Sequence, residues 1–480
     1  MNTTPRLASE TRCDDRISNS NVRSNPLKFR PAILNAISTS LALLRLNTLN
    51  FRSALACILL ASFYQSAAAV EPVSTARELF SDAQNICLRD SGRLWGQSLC
   101  GPILLVDYTD RSVWANERDG NATLVAEGAY FRGILGGDVI VANTPTQWSG
   151  TRWTQIVAPI PPQIANRHVL IAHELFHRIQ PALGLTRPET SNQHLDTFEG
   201  RYLLQLEWRA LAAALEATTR RETRSAIQDA VAFRHERYRL FPSAAADEHA
   251  LEINEGVPEY TGVKLGLSTP QERTSFALHD LIAFVDAPTF VRSFAYATGP
   301  AYGLMLDEYA PGWRKNVGKK RFDEMLMSAL KVESMAESTI SLRAKKYDGE
   351  SLRDSEMKRE SLRREQLDRL KNQLVVGPVL LLPLLHSNYQ FNPQTLIPLD
   401  GYGTVYPTMR LTDDWGALEV ESGGALVDKE TQKASVVAPS NKSSLTSGTG
   451  WRLTLKPGWF VEVGDRTGDY SVTCRQCNKP

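Results

Sequence analysis

The chain has 480 residues, too many for one compact core and suited to two or three domains. Hydrophobic residues make up 42% and charged residues 22%, which excludes a disordered chain, a collagen-like fibre and a multispanning membrane protein. With 54 Lys+Arg against 53 Asp+Glu, no basic excess marks a nucleic-acid binder and no acidic excess a solvating tail; six cysteines are too few for a disulfide scaffold.

Residues 1–69 differ in style from the rest, with eight basic residues against the three acids Glu10, Asp14 and Asp15. After Arg52 comes the apolar run Ala54–Phe63, and then Ser66-Ala-Ala-Ala69. A basic region, a short apolar stretch and a small-residue end have the make-up of a secretory signal. The run falls short of the ~20 residues that span a bilayer. The sequence therefore predicts a leader over 1–69, a secreted or periplasmic protein, and no transmembrane span once the leader is removed. The basic lead is long for a signal, which leaves a start downstream of Met1 open. Losing eight basic and three acidic residues leaves 46 Lys+Arg against 50 Asp+Glu, a net charge of −4. Cys87, Cys100, Cys474 and Cys477 remain as two sequence-local couples, which predicts two disulfides in an oxidising compartment.

A helix is predicted over 74–89, followed by the short apolar runs Ile103–Asp107, Ser112–Ala115, Val139–Asn143 and Trp153–Ala158, which read as strands of one sheet. These make an α/β part over 70–160. Pro159-Ile-Pro-Pro162 breaks the chain, and a helix begins near Gln163. Helical patterns then cover Leu195 to about Leu240, 246–262 and 271–330, a mainly helical part over 161–345. A charged connecting helix is expected over 346–376, packed by its leucine face, its mixed charges arguing against nucleic acid. From 377 to 480 the chain is rich in Gly, Pro, Thr, Val and Trp. Gly403–Tyr406, Leu418–Glu421, Trp451–Leu455 and Trp459–Val463 alternate as short strands, so a small all-β domain closes the chain, with Trp415, Trp451 and Trp459 as core. The fold class is α+β.

The chemistry concentrates in Val169-Leu-Ile-Ala-His173-Glu174-Leu-Phe-His177, an H-E-x-x-H sequence in an apolar, helix-forming setting. Residues four apart on a helix lie one turn above each other, so His173 and His177 can direct imidazole nitrogens at one Zn2+. Glu174 projects beside them, able to serve as general base without being a ligand. A catalytic zinc needs a third protein ligand and an open position. Glu199, Glu207 and Glu255 all sit on predicted helices, and spacing alone does not choose among them. His168, His194, His235, His249, His279 and His386 have no ligand spacing and read as structural or surface groups.

Asn254-Glu255-Gly256-Val-Pro-Glu259-Tyr260-Thr261 resembles the second signature of the gluzincin metallopeptidases, especially the alanyl-aminopeptidase and leukotriene-hydrolase type. With H-E-x-x-H the resemblance covers roughly 100–310 and not the terminal β-domain. It implies Glu255 as the third zinc ligand, with Gly256 letting its helix approach the metal helix. It also implies a zincin-like catalytic domain of mixed sheet plus helices, in which an edge strand within 139–158 would pair with an extended peptide. Tyr296-Ala-Thr-Gly299 resembles the Tyr-x-x-Gly segment of the same clan, implying Tyr296 as oxyanion donor with Tyr302 in reserve. Glu259, one turn after Glu255, reads as fixing the helix or a substrate group. Two departures bear on this. His177 and Glu255 are 78 residues apart, which implies an inserted helical hairpin over about 195–240, and Gly-x-Met-Glu-Asn is absent, so the clan is implied and aminopeptidase activity is not. The expected function is a zinc metallopeptidase acting on a peptide or protein substrate. The alternative is a non-catalytic zinc-containing binding protein whose β-domain takes a glycan or protein partner; an intact Glu174 favours the enzyme.

Overall fold

The structure, a computed structural model, describes residues 72–137, 139–332, 339–391, 395–440 and 443–475; the leader expected over 1–69 and Cys477 of the second cysteine couple lie outside them. Helix α1 (Pro72–Asp90) buries Ala76, Leu79, Phe80, Ala83, Ile86 and Cys87, a spacing of three and four that makes one apolar stripe. Cys87 is disulfide-bonded to Cys100, as expected, which pins the end of this helix near the start of the sheet.

The strands are β1 (Ile103–Asp107), β2 (Ser112–Ala115), β3 (Val125–Glu127), β4 (Tyr130–Ile134), β5 (Thr144–Trp148) and β6 (Thr151–Ala158). They form one mixed sheet in the order β3-β4-β2-β1-β6-β5, in which β1 and β6 run parallel and the other pairs antiparallel. Alternation sorts the side chains: Ile103, Leu105, Trp114 and Ile156 join the core shared with the helices, while Leu104, Val106, Val113 and Trp153 build a second cluster on the other face. Residues 139–143 are not a strand. Their carbonyls are taken by side chains instead: Gln155 Nε2 donates to Ile140 O at 3.0 Å and Ala142 O at 2.6 Å, and Arg111 to Val139 O at 2.6 Å. The segment caps the sheet face with Val139 and Val141 rather than joining a ladder. The edge within 139–158 is β5, which among the described residues pairs only with β6 and lies beside the first helix of the next part.

That part contains α2 (Ile164–Ile179), α3 (Phe198–Glu216), α4 (Arg220–Leu240), α5 (Ala244–Leu251), a π-helical turn over Glu252–Gly256, α6 (Val257–Gly266), α7 (Pro270–Ala283), α8 (Phe290–Tyr309), α9 (Phe322–Leu330) and α10 (Ile340–Ala344). Helices α3 and α4 form the hairpin expected over 195–240, and capping boxes at Thr219/Glu222 and Thr269/Glu272 start α4 and α7. Helix α6 lies tight against α2. A Cβ on Gly262 would come within 2.7 Å of Val169 O, and one on Gly266 within 2.8 Å of Val169 N. None of the helices, among the described residues, is long and apolar enough to cross a membrane.

The charged connector is α11 (Gly349–Lys371), extended by a π-helical turn over Asn372–Val376. It is anchored at both ends: Leu352 enters the helical core, while Leu367, Leu370 and Leu374 pack with Leu399, Val405 and Leu426 of the β-domain. Between them, buried Arg201 pairs with Glu356 at 2.7 Å and Glu360 at 3.2 Å.

The C-terminal region contains β7 (Val379–Pro383), β8 (Asn388–Phe391), β9 (Ile397–Leu399), β10 (Gly403–Tyr406), β11 (Met409–Asp413), β12 (Gly416–Val420), β13 (Ala425–Asp428), β14 (Lys433–Val437), β15 (Ser447–Gly448), β16 (Trp451–Leu455), β17 (Trp459–Val463) and β18 (Tyr470–Cys474). A seven-stranded and a five-stranded sheet share one core of alternating inward residues, among them Leu380, Val436, Leu411 and Leu453. Trp415 and Trp451 are buried in that core and Trp459 packs against it, the use expected for them.

Candidate metal centre

Helix α2 is apolar on most sides, burying Val169, Ile171, Ala172, Leu175, Phe176 and Ile179 together with His173 and Glu174. Its helical repeat places His173 and His177 one turn apart with their Nε2 atoms 2.9 Å from each other. Glu255 Oε2 stands 3.6 Å from His173 Nε2 and 3.7 Å from His177 Nε2, and all the donor atoms lie within 4.8 Å of one another. Among the described residues no other group of three such side chains converges in this way.

Glu255 reaches the histidines because its turn is held residue by residue. Glu252 is paired to Arg234 at 2.6 Å. Asn254 exchanges hydrogen bonds with the backbone of Arg187, at 2.9 Å and 3.0 Å. Glu255 accepts from Arg292 on Oε1 at 2.9 Å and from the Tyr296 hydroxyl on Oε2 at 2.7 Å. Single π-helical turns inside helices are rare and concentrate at functional sites, where they re-aim a side chain. Contrary to the expectation from the sequence, Gly256 does not face the metal helix. It faces α8, where a Cβ on Gly299 would fall 2.2 Å from Gly256 O. The approach to α2 belongs to Gly262 and Gly266 instead. Gly299→Ala is therefore expected to force α8 and the turn apart, at a cost of about 1–3 kcal/mol seen as a lower Tm in thermal unfolding.

The hydrogen-bond partners fix the histidine tautomers. His173 Nδ1 lies 2.6 Å from Glu259 Oε2, so it is the donor. His177 Nδ1 lies 2.8 Å from Gln180 Oε1, whose amide nitrogen is committed to two carbonyls, so it too is the donor. Both Nε2 lone pairs then face each other and a carboxylate, an arrangement that repels itself unless a cation or a proton sits among the three. Burial opposes charge on His173, yet Glu255 and Glu259 outweigh it and raise its proton affinity well above the usual imidazole value. Burial pushes Glu255 up, but the two histidines overcome it and hold the carboxyl well below the ordinary range. The site thus draws positive charge.

Glu174 is buried, and its Oε2 meets no hydrogen-bond donor among the described residues. Burial raises its pKa, against the pull of His173 and His177. Tyr296 lies parallel to the His173 ring at 5.7 Å, with Phe284 6.2 Å away. Burial and the Glu255 charge keep its phenol protonated far above the usual tyrosine value.

The other sequence candidates are elsewhere. Glu207 is fully buried but accepts from Arg234 at 2.8 Å, Arg237 at 2.7 Å and the Tyr302 hydroxyl at 2.8 Å, so the reserve ligand and the reserve tyrosine hold each other in a separate ionic cluster. Glu199 is exposed in the first turn of α3. Glu259 orients His173 rather than holding only its helix or a substrate group. His194 and His235 serve Glu248 and Asp323 as structural partners, as expected. Sequence pattern alone singles out neither Arg292 nor Gln180, both of which hold the site. Arg292 had a signal, lying four residues before Tyr296 on one helix face; the partners of Gln180 are tertiary and left none.

Asp280 on α7 is buried near Glu259, and burial first, then that neighbouring charge, lifts its carboxyl to about 8. Such a carboxyl stays protonated in the fold but ionises near pH 4 when unfolded. Stability therefore falls as pH rises between those values, with the full cost above pH 8. In chelator, Asp280→Asn should raise Tm at pH 8–9 and leave it nearly unchanged at pH 4.

Comparison with protein-family models, with curated proteins and with solved structures finds no match to this chain.

Proposed function

We propose that the chain is a zinc-dependent metallopeptidase of the gluzincin type, exported to an oxidising compartment, with a zincin-like catalytic domain over the first sheet and the helices α2–α8. The observation that carries this reading is the convergence of two Nε2 lone pairs and one carboxylate beside a buried glutamate whose Oε2 has no hydrogen-bond partner among the described residues. Two imidazoles and a carboxylate are the donor set of catalytic zinc in peptidases, and they leave a fourth position open. His173, His177 and Glu255 would hold Zn2+, with Glu259 and Gln180 orienting the imidazoles. When bound, zinc lowers the pKa of a coordinated water to about 7 and polarises a carbonyl.

The remaining steps belong to the chain's own residues. Glu174 Oε2, free of other donors, takes the proton of the attacking water and returns it to the leaving amine nitrogen. The Tyr296 hydroxyl, held protonated, is a donor to the oxygen on which charge develops once it lets go of Glu255. The free edge of β5, antiparallel to β6 and beside α2, offers backbone groups to an extended peptide. Its Pro145 is the kind of residue an edge strand tolerates. The Cys87–Cys100 disulfide supports an oxidising, secreted or periplasmic setting.

The ligand set is tested by zinc content after purification. Glu255→Gln is expected to lose zinc, and Glu207→Gln to retain it. Retention by the first and loss by the second would move the third ligand to the α3–α4 hairpin.

A further inference from the structure

Gln180 lies just beyond the metal helix, in a 3-10 turn, and is almost wholly buried. Its side chain touches three separate parts of the fold. Oε1 accepts from His177 Nδ1 at 2.8 Å, while Nε2 donates to Leu185 O at 2.8 Å and to Ile253 O at 2.9 Å. Ile253 belongs to the π-helical turn, two residues before Glu255. We infer that Gln180 is a positioning residue that ties His177 to the turn carrying Glu255, setting the tautomer of one ligand and the distance to another. The inference rests on the metal reading of His173, His177 and Glu255 and goes beyond it.

The chemistry leaves little freedom. A primary amide has one acceptor oxygen and a nitrogen with two hydrogens. Here both hydrogens go to backbone carbonyls, so the oxygen must face His177, and the imidazole answers only as an Nδ1–H donor. Its Nε2 is then left as a lone pair toward His173 and Glu255. Glu259 does the equivalent for His173 but acts from α6 and reaches no second element of the site. Gln180 alone, among the hydrogen bonds described, joins a ligand of α2 to the backbone of the π-helical turn. Because Gln180 is almost wholly buried, a side chain lacking the amide leaves two buried carbonyls and one imidazole N–H without this partner.

The test uses the full chain, with two readouts. Long-range 1H–15N spectra of the metal-free protein should show His177 as the Nδ1–H tautomer in wild type and as a mixture in Gln180→Met. Zinc competition titration should show affinity weakened by about 10–100-fold in Gln180→Met, the range typical for lost partners of metal-ligating histidines. Gln180→Asn keeps the amide but is one methylene too short to reach both sides, and should weaken zinc binding likewise. A distant core variant, Leu326→Ala, is destabilised without touching the site and should hold zinc as wild type does. Wild-type zinc affinity and a single His177 tautomer in both Gln180 variants would overturn the inference while leaving the metal site standing. Absence of zinc binding in wild type itself would instead overturn the reading on which it rests.

Discussion

Glu174→Gln is expected to leave zinc bound in the wild-type amount and to slow hydrolysis of an unfolded peptide by about two to four orders of magnitude, the span attributed to a positioned general base. Glutamine matches the size of the glutamate, so the buried slot beside His173 remains filled. What it lacks is a lone pair basic enough to take a proton. Glu174 is suited to that role, because burial raises its pKa toward working pH and its Oε2 has no protein donor to satisfy it. Neither histidine nor Glu255 depends on it for position, since Glu259, Gln180, Arg292 and Tyr296 hold them. Zinc content by elemental analysis and kcat/KM on one peptide check both halves. Activity within about tenfold of wild type would remove Glu174 from the mechanism.

A second large effect is expected away from the metal. Glu207, Glu248, Glu252 and Asp323 share a solvent-free cluster with Arg234 and Arg237, all with side chains fully buried. Glu207 is its hub, accepting from both arginines and from Tyr302. Its removal takes one hydrogen-bonded carboxylate from each arginine, which keep Glu252 and Glu248, and leaves the buried Tyr302 hydroxyl without its acceptor; breaking such a buried network costs about 3–5 kcal/mol. Glu207→Ala should therefore lower the urea midpoint sharply, while the folded fraction still binds zinc. Glu199→Ala, on the exposed first turn of the same helix, should change stability by no more than about 0.5 kcal/mol. Burial pushes Glu252 up to about 7 in spite of Arg234, with the charges of Glu248 and Glu207 adding to the rise. A shift of less than about 1 kcal/mol for Glu207→Ala would mean that the arginines find other partners.

These two predictions mark where the sequence was and was not readable. His173, Glu174 and His177 are local: their relation depends only on the helical repeat, and an apolar run with no Pro or Gly declares the helix. Strands β1, β2 and β6 were legible for the same reason, each a compact apolar run. Strands β3, β4 and β5 were not, because they lie at or near the sheet edges and are half-buried or exposed. Residues 139–143 misled in the opposite direction: they are apolar because they cover the sheet, while Gln155 and Arg111 supply the hydrogen bonds a ladder would have given. Glu255 could be singled out only through the Asn-Glu-Gly-x-x-Glu-Tyr box. By burial and charge alone Glu207 is an equally good candidate, and only the tertiary placement of Arg234 and Arg237 takes it away. Gly256 shows the limit of such a box: a small residue announces a close approach but not which helix approaches, here α8.

The proposed peptidase joins a metal held by His173, His177 and Glu255, on α2 and the π-helical turn, to cleavage of peptide bonds. Casein hydrolysis by the zinc-loaded chain, with and without residues 1–69, tests this most directly. Cleavage is expected to disappear when a chelator removes zinc and to return when zinc is restored. Zinc held by His173, His177 and Glu255 with no cleavage of casein would contradict it and leave a zinc-containing binding protein in its place.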